Sequence, residues 1–216
     1  MKKPDRRFKG PAWEVRQEKI QQAIIDFYKP SFFEGKTVYS FGCAYGAIEL
    51  KLLEYGANLV LTEARQEYLD YIDYYFKHDR LKTQRVDLDN EFPIEGVVDM
   101  IICVGILYHL ARPDKILEKL CRHCNHLFLE TEYLDTNRDH MMLCYVEAME
   151  SSENHNINRI GCRPSHGMVN RILWESGKEF IPITNDIYNS EFHVYNDGVR
   201  ETFQISPKNF RGMWAC

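Results

Sequence analysis

The chain has 216 residues, enough for one domain with a substantial hydrophobic core. Hydrophobic residues make up 44% of the sequence and charged residues 27%, as in ordinary globular proteins. The net charge of −5 argues against a general nucleic-acid-binding protein, and no apolar run approaches the roughly 20 residues of a membrane span. No signal-peptide core follows the basic start, so we expect a cytoplasmic protein, monomeric or homodimeric.

The seven cysteines are scattered along predicted helices and strands. Cys121 and Cys124 form a lone CxxC pair with two histidines nearby, but a structural zinc site needs a closed set of four ligands. A metal ligand also seldom lies inside an amphipathic helix that runs into a strand. We therefore expect no metal and interpret the cysteines mainly as free, buried thiols.

Up to Glu130 the sequence alternates between predicted helices and predicted strands. Strands are predicted at residues 38–41, 59–62, 83–86, 100–104 and 126–130. Helices are predicted at residues 13–28, 47–55, 66–77 and 113–123. Strict alternation with short connections predicts right-handed crossovers and a parallel sheet covered by helices.

Two of these helices have a marked apolar face. In the first helix that face carries Trp13, Ile20, Ala23, Ile24 and Phe27. In the helix at 66–77 it carries Tyr68, Tyr71, Ile72, Tyr75 and Phe76, which we interpret as packing against the sheet. The first 30 residues either pack on the sheet or form a lid over a ligand-binding pocket. In the lid arrangement Trp13 and Arg16 would face the pocket.

Beyond Glu130 the pattern becomes polar and irregular. We predict a loop over 131–163 with a helix at about 141–149, and then a helix over 165–176. Ser165 is the expected N-cap and Gly177 the residue that ends this helix. Late strands near 191–195 and 210–216, joined through turn residues at 196–198, predict an antiparallel hairpin at one edge of the sheet.

The segment 37–46 reads T-V-Y-S-F-G-C-A-Y-G, a buried strand followed by a small-residue turn, and Glu63 follows the second strand. This order places a carboxylate beside a tight loop at the carboxyl edge of a parallel sheet, where an adenosine-type cofactor binds. A dinucleotide loop requires G-x-G-x-x-G. Residues 42–47 give only G-x-A-x-x-A, so a dehydrogenase is the weaker interpretation.

The G-x-A-x-G spacing of residues 42–46 resembles the first motif of the class I, Rossmann-like S-adenosylmethionine-dependent methyltransferases. Segment 98–110, V-D-M-I-I-C-V-G-I-L-Y-H-L, followed by Pro113, is similar to the family's FDxVxxxGVLYHLxxP strand and loop, the most specific match. The R-P-S opening at 163–165 resembles a later family element. The resemblance covers about residues 35–180 and implies a single methyltransferase domain over 1–216.

The implied fold is α/β, with a seven-stranded, mostly parallel sheet, helices on both faces and an antiparallel C-terminal hairpin. The implied cofactor is S-adenosyl-L-methionine and the product S-adenosyl-L-homocysteine. In this family a carboxylate after the second strand holds the ribose, here Glu63, and a turn after the third binds adenine, here Asp87-Leu88. The implied cofactor-binding residues are Phe41, Gly42, Cys43, Ala44, Gly46, Glu63, Ala64, Arg65, Asp87, Leu88 and Val104.

The chain departs from the family's first motif at two positions. Ala44 replaces the central glycine, and Ser40 stands where an acidic residue is common. The contact with the methionine ammonium must therefore come partly from elsewhere. These departures also motivate a different hypothesis, a non-catalytic S-adenosylmethionine-binding module.

The candidate catalytic residues follow the fourth and fifth strands. His109 lies where the sulfonium is expected and could act as a general base, although it could instead shape the loop through backbone hydrogen bonds. Tyr108 would line the pocket. Glu130 and Glu132 would face the substrate or pair locally, and His166 is a second candidate base.

Residues 131–164 and 185–210 are expected to cover the substrate. Their polar side chains, which favour a sugar, a nucleotide-linked sugar or another hydroxylated or carboxylated small molecule, include His140, Tyr145, Glu147, His155, Asn156, Tyr188, His193 and Tyr195. The Tyr-His-Leu loop also resembles that of enzymes that modify the tRNA wobble uridine. An RNA substrate is therefore the alternative, with phosphate contacts from Arg163, Arg171, Arg200 and Arg211.

Overall fold

The fold is built on one large and one small β-sheet in a computed structural model that describes residues 10–146, 160–190, 193–195 and 210–216. The strands are β1 Thr37–Phe41, β2 Asn58–Glu63, β3 Leu81–Arg85, β4 Val98–Val104, β5 Cys124–Tyr133, β6 Met142–Val146, β7 Ile160–Pro164, β8 Ile181–Pro182 and β9 Phe210–Ala215. The α-helices are α1 Pro11–Tyr28, α2 Gln66–Tyr75, α3 Pro113–Arg122 and α4 His166–Glu175. Short 3-10 helices occupy Pro30–Phe33, Leu50–Tyr55, Leu107–His109 and Asp186–Tyr188.

The large sheet has seven strands in the order β3-β2-β1-β4-β5-β9-β8. Strands β1 to β5 pair in parallel, whereas β9 pairs antiparallel with both β5 and β8. The predicted α/β architecture and the antiparallel C-terminal hairpin are therefore confirmed. The first strand of that hairpin is β8, at Ile181–Pro182. Of the predicted strand at 191–195, the described residues form only isolated bridges, between Ser190 and His193 and between Tyr195 and Arg211.

Helices cover both faces of the sheet because successive side chains of its strands point to opposite sides. Met100 of β4 packs in a hydrophobic cluster with Ile20 and Ile24 of α1. The next residue, Ile101, packs in a second cluster with Leu117 of α3. None of the helices in the described ranges combines the length and apolar character needed to cross a lipid bilayer.

The helix predicted at residues 47–55 is shorter than expected and is a 3-10 helix over Leu50–Tyr55. The side-chain amide of Gln21 on α1 donates hydrogen bonds to the carbonyls of Ala47, at 3.3 Å, and of Ile48, at 3.0 Å. These carbonyls would otherwise accept the first bonds of an α-helix. Gly56, with φ of +90°, ends the segment as predicted.

The prediction of a helix at about 141–149 is wrong for residues 141–146, the part of this range that the structure describes. Met142–Val146 is strand β6, which pairs antiparallel with β7. The cross-strand pairing outweighs the helical preference of the Met and Leu residues. Cys144 and Cys162 lie opposite each other in this pair and form a disulfide, which corrects the expectation of free thiols at these two positions.

The aromatic face of α2 is only partly buried. Tyr68 and Ile72 are 3% and 0% exposed, whereas Tyr75 and Phe76 are 53% and 40% exposed. The predicted packing is therefore wrong for these last two side chains, because the helix ends at Tyr75 and its last turn extends beyond the core. The Ser165 cap of α4 is confirmed, since its hydroxyl accepts a hydrogen bond from the Met168 amide at 3.1 Å.

Candidate functional site

A cavity of about 430 Å³ opens at the carboxyl ends of the parallel strands. It lies between β1 and β4. The chain continues from β1 to β2 on one side of this point and from β4 to β5 on the other side, and ligands usually bind at such a reversal of the strand order. The residues that line it are Trp13, Arg16, Gln17, Gly42, Cys43, Ala44, Ala47, Ile48, Glu49, Thr62, Glu63, Ala64, Arg65, Val86, Asp87, Leu88, Val104, Gly105, Ile106, Tyr108, His109, Leu110, Glu132, Tyr145, Arg163, His193 and Arg211.

The loop after β1 forms one wall of this cavity. Gly42 has a φ of +68°, and a Cβ atom there would lie 2.6 Å from the Ile106 side chain, so only glycine fits. Ala44 adopts a φ of +47°, although it carries a side chain. Two predicted cofactor-binding residues do not line the cavity: Phe41 packs in the core at 1% exposure, and Gly46 faces Leu61.

Glu63 at the end of β2 ties this loop to the next one. Its Oε2 accepts a hydrogen bond from the Ala44 amide at 3.3 Å. Its Oε1 accepts from the amides of Ala64, at 3.0 Å, and Arg65, at 3.2 Å. The side chain is 6% exposed and faces the cavity. The predicted carboxylate therefore lies beside the small-residue loop.

The turn after β3 adds a second carboxylate to the same half of the cavity. Asp87 accepts hydrogen bonds from the Asp89 amide, at 3.2 Å, and from the Asn90 side chain, at 2.7 Å. Leu88 and Val104 supply apolar lining. The loops after β1, β2, β3 and β4 thus form one continuous wall.

A buried ion-pair cluster forms the other half of the cavity. Arg16 of α1 donates from Nη2 to Oε2 of Glu130 at 2.9 Å, and Arg211 of β9 donates from Nη1 to Oε1 of Glu130 at 2.9 Å. Arg16 approaches over Gly105, where an added Cβ would lie 3.2 Å from its Nη2. Glu130 is completely buried and does not line the cavity, which favours a role in holding the two arginines.

The cluster continues through a second carboxylate that does line the cavity. Glu132 accepts from Arg211 Nη2 at 2.5 Å and from Arg163 Nε at 2.7 Å. The Arg163 guanidinium lies over the ring of Tyr145, 4.9 Å from its centroid. Three guanidinium groups therefore face two carboxylates, and the cluster has one excess positive charge if the carboxylates are ionised.

Burial would raise the pKa of Glu130, but Arg16 and Arg211 outweigh it and hold the pKa at about 2. Burial lowers the pKa of His193, and the charges of Arg16 and Arg211 lower it further, to about 4. Its imidazole is therefore neutral at pH 7. Burial raises the pKa of Tyr108, partly opposed by Arg211, which donates to the phenol oxygen at 3.1 Å. The positive charge of the arginines thus affects this whole half of the cavity.

Tyr108 and His109, the predicted catalytic residues, belong to the short 3-10 helix that follows β4. Both line the cavity, and their rings are 4.1 Å apart. Tyr108 is 7% exposed, whereas His109 is half-buried. Trp13 and Arg16 also line the cavity, while Ile20 and Ile24 of the same helix pack in the core. Helix α1 therefore both covers the site and packs on the sheet.

Among the described residues that line the cavity, Glu49 is the ionisable one that was not a predicted site residue. Glu49 is 2% exposed, and its Oε1 accepts a hydrogen bond from the Ser40 hydroxyl at 2.6 Å. Its Oε2 has no hydrogen-bond partner within the described residues. A carboxylate between Ile48 and Leu50, in an apolar segment, was the available sequence signal.

Other predicted residues lie away from the cavity. His166 is 4% exposed and packs between Tyr133 and Trp214, so it is not at the mouth. His140 is exposed. The predicted residues outside the described ranges are Glu147, His155, Asn156 and Arg200. Cys121 and Cys124 are buried free thiols, and the described residues contain no group of three potential His, Cys, Asp or Glu metal ligands.

Comparison with known sequences finds no matching family model. A tRNA U34 carboxymethyltransferase from Campylobacter concisus (strain 13826) is 28% identical over 112 residues, covering 49% of this chain and 38% of that protein. The protein of the same name from Campylobacter lari (strain RM2100) is 26% identical over 147 residues, covering 59% of this chain and 50% of that protein. The chain thus matches half or less of the length of these curated relatives.

Solved structures match much more of the chain. The N-terminal domain of EvdMO1, solved in the presence of S-adenosylhomocysteine and D-fucose, superposes with a TM-score of 0.71 at 16% identity, covering 92% of this chain and 82% of that one. Magnesium protoporphyrin IX methyltransferase from Synechocystis gives a TM-score of 0.59 at 11% identity, covering 94% and 84%. The chain therefore has the Rossmann-like fold of the class I S-adenosylmethionine-dependent methyltransferases.

Proposed function

We propose that this protein is an S-adenosylmethionine-dependent methyltransferase that acts on a polar, negatively charged small molecule. The observation that carries the proposal is the position of Glu63 and Asp87, two carboxylates at successive strand ends on one wall of the cavity. Such carboxylates can accept hydrogen bonds from the hydroxyl and amino groups of an adenosine. The resemblance of the sequence motifs and the fold of the chain agree with this chemistry.

The cavity fits the cofactor in size and in charge. Its volume of about 430 Å³ lies within the usual range of small-molecule sites. The cofactor half carries Glu49, Glu63 and Asp87, and S-adenosylmethionine has a net positive charge. Gly42, Ala44 and Ala64 let the backbone approach closely, while Leu88 and Val104 offer an apolar surface to the adenine.

The chemistry that the cofactor supplies when bound is an activated methyl group on a sulfonium. The protein then needs mainly to orient the acceptor and exclude water. Tyr108 and His109 both line the cavity and would face the place where donor and acceptor meet. His109 would accept the proton that an oxygen acceptor loses as the new bond to the methyl carbon forms.

The acceptor half favours an anion. One excess positive charge remains in the cluster of Arg16, Arg163, Arg211, Glu130 and Glu132, and Arg16 Nε is buried with no hydrogen-bond partner among the described residues. A carboxylate or phosphate would neutralise this charge and accept from a guanidinium. Carboxylated and nucleotide-linked metabolites are therefore the preferred acceptors.

A tRNA acceptor is the second candidate function. The two curated relatives are named tRNA U34 carboxymethyltransferases, and the same arginines could contact a phosphate of RNA. The net charge of −5 makes a large RNA interface less favourable than a small anion. The cytoplasmic location, the oligomeric state and the non-catalytic alternative stay predictions.

Calorimetric titration with S-adenosylmethionine, S-adenosylhomocysteine and NAD tests the cofactor. We expect both adenosylated amino acids to bind and NAD not to bind. Binding of NAD alone would overturn the proposal. Methyl transfer from labelled cofactor into a metabolite pool, compared with a tRNA pool, then separates the two acceptor classes. Binding without transfer to either pool would favour the non-catalytic module.

The role of His109 is tested by His109→Ala and His109→Gln. If it takes the proton, turnover falls about 100-fold or more in both variants, and the cofactor dissociation constant stays unchanged. If it only shapes the loop, glutamine restores turnover because its amide keeps hydrogen-bonding capacity. The pH dependence of turnover provides the second readout, since a general base contributes an ionisation that disappears in the variants.

A further inference from the structure

Glu49 is a buried carboxyl group in the cavity wall that the chemistry described so far does not use. Its side chain is fixed on one side by the Ser40 hydroxyl, which donates to Oε1 at 2.6 Å. The other oxygen, Oε2, is buried without a hydrogen-bond partner within the described residues. An unsatisfied buried carboxylate oxygen is unfavourable, and a donor from a bound ligand would remove that cost.

The other carboxylates that line the cavity already have protein donors. Glu63 accepts from the backbone of the adjoining loops, and Asp87 accepts from its own turn. Glu132 is paired with two arginines. Among the described carboxylates that line the cavity, Glu49 is thus the one with a buried oxygen that no protein donor satisfies. Burial raises the pKa of the Cys43 thiol, and the carboxylates of Glu49 and Glu63 add to this shift, so the thiol lies within the electrostatic reach of both carboxylates.

No cation of the described protein forms an ion pair with Glu49. Burial raises its pKa to about 7, although hydrogen bonds from Ser40 and from the backbone of Glu49 and Ile48 oppose this shift. A bound cation would shift Glu49 towards its ionised form. The segment that carries it is also fixed in place, because Gln21 of α1 holds the carbonyls of Ala47 and Ile48. The site for the cation is therefore built into the wall.

We propose that Glu49 binds the ammonium group of the cofactor's methionine part, in place of the acidic residue that Ser40 has replaced. Ser40 then orients Glu49 through its hydroxyl. In this arrangement the carboxylate comes from the segment that follows the loop and not from the end of β1. This inference rests on the proposed function, since it concerns the same cofactor.

Glu49→Gln tests the assignment, because it keeps the shape and a hydrogen-bonding partner for Ser40 but removes the negative charge. The probes are S-adenosylhomocysteine, which has the ammonium group, and 5′-methylthioadenosine, which lacks the amino-acid part. We expect S-adenosylhomocysteine to bind about 10- to 100-fold more weakly to the variant. Binding of 5′-methylthioadenosine should change less than about twofold. Glu18→Gln, on the exposed side of α1, is the matched control.

An equal loss for both probes would show that Glu49 acts only on the fold, and no loss for either would also overturn the assignment. If the wild-type protein binds neither probe, the proposed function itself fails, which is a different result.

A second measurement uses the wild-type chain alone. Titration with S-adenosylhomocysteine at pH 7, in buffers of different ionisation enthalpy, should show proton release that 5′-methylthioadenosine does not cause. The same proton balance for both probes would overturn the assignment.

Discussion

Arg211 of β9 and Glu130 of β5 form an ion pair across adjacent antiparallel strands, with Nη1 2.9 Å from Oε1. Both side chains are almost fully buried. The pair joins the last described strand to the centre of the sheet and places a guanidinium at the acceptor half of the cavity. The same contact therefore joins two strands and, under the proposed function, also positions a guanidinium for the acceptor.

Removing one partner of this pair should be strongly destabilising. We expect Glu130→Ala to lower the free energy of unfolding by about 3–5 kcal/mol, because it leaves the buried Arg16 without its carboxylate and Arg211 with Glu132 alone. Urea denaturation followed by circular dichroism measures this loss. Glu175→Ala is the control, since its ion pair with Arg171 is exposed and should contribute less than about 1 kcal/mol. Similar losses in the two variants would contradict the burial argument.

Glu63→Ala should weaken cofactor binding by about 1–3 kcal/mol, the cost of losing a hydrogen bond to a charged group. The measurement is the dissociation constant of S-adenosylhomocysteine by calorimetry. Glu67→Ala, on the exposed start of α2, should leave the constant unchanged. An unaltered constant in Glu63→Ala would mean that the ribose binds elsewhere.

Ala44→Gly should stabilise the loop. Ala44 has a φ of +47°, a conformation that costs a residue with a Cβ atom about 1–2 kcal/mol and costs glycine little. The greater chain entropy of glycine when unfolded offsets part of the gain, so we expect an increase of up to about 1 kcal/mol in the free energy of unfolding. Ala47→Gly, at an exposed position without positive φ, should instead reduce stability. A loss in both variants would contradict the strain argument.

The ionisation of Glu49 should make the protein less stable as pH rises. Its pKa is about 7 when folded, against an ordinary value of 4.5, so the folded state binds the proton more tightly. The contribution of Glu49 to stability is therefore fully present below about pH 4.5, falls through the interval up to about pH 7 and is lost above it, a change of up to about 3 kcal/mol. Glu49→Gln cannot ionise, so its stability relative to the wild type should increase between pH 5 and pH 8 in urea denaturation. A constant difference between the two proteins would refute this.

Much of the fold could be predicted because its signals are local. The apolar strands, the helix faces, Ser165 as a cap and Gly56 as a stop each depend on a few neighbouring residues. The cofactor half of the cavity could be predicted for the same reason. Gly42 and Ala44 follow β1 and Glu63 ends β2, and the parallel pairing of these two strands brings their ends together.

The remaining features depend on contacts between distant residues. Met142–Val146 forms a strand only because β7 pairs with it. The segment before the short 3-10 helix is held by Gln21 of α1, a residue distant in the sequence that binds the carbonyls of Ala47 and Ile48. The cluster around Glu130 joins α1, β5 and β9, which no local pattern relates.

The position of β9 has a consequence for the order of folding. This strand follows all the other described strands along the chain, yet it lies inside the sheet between β5 and β8. The cofactor half is built from β1 to β4, whereas the acceptor half also needs β9. The pairing of β9 with β5, from Phe128↔Ala215 to Tyr133↔Phe210, closes the longest stretch of chain among the described strand pairs and is therefore expected to form more slowly. We expect pulsed hydrogen exchange during refolding to protect the amides of β1 and β4 before those of β9. Simultaneous protection would contradict this order. Folding intermediates of this protein would then bind a nucleoside before they can bind an acceptor.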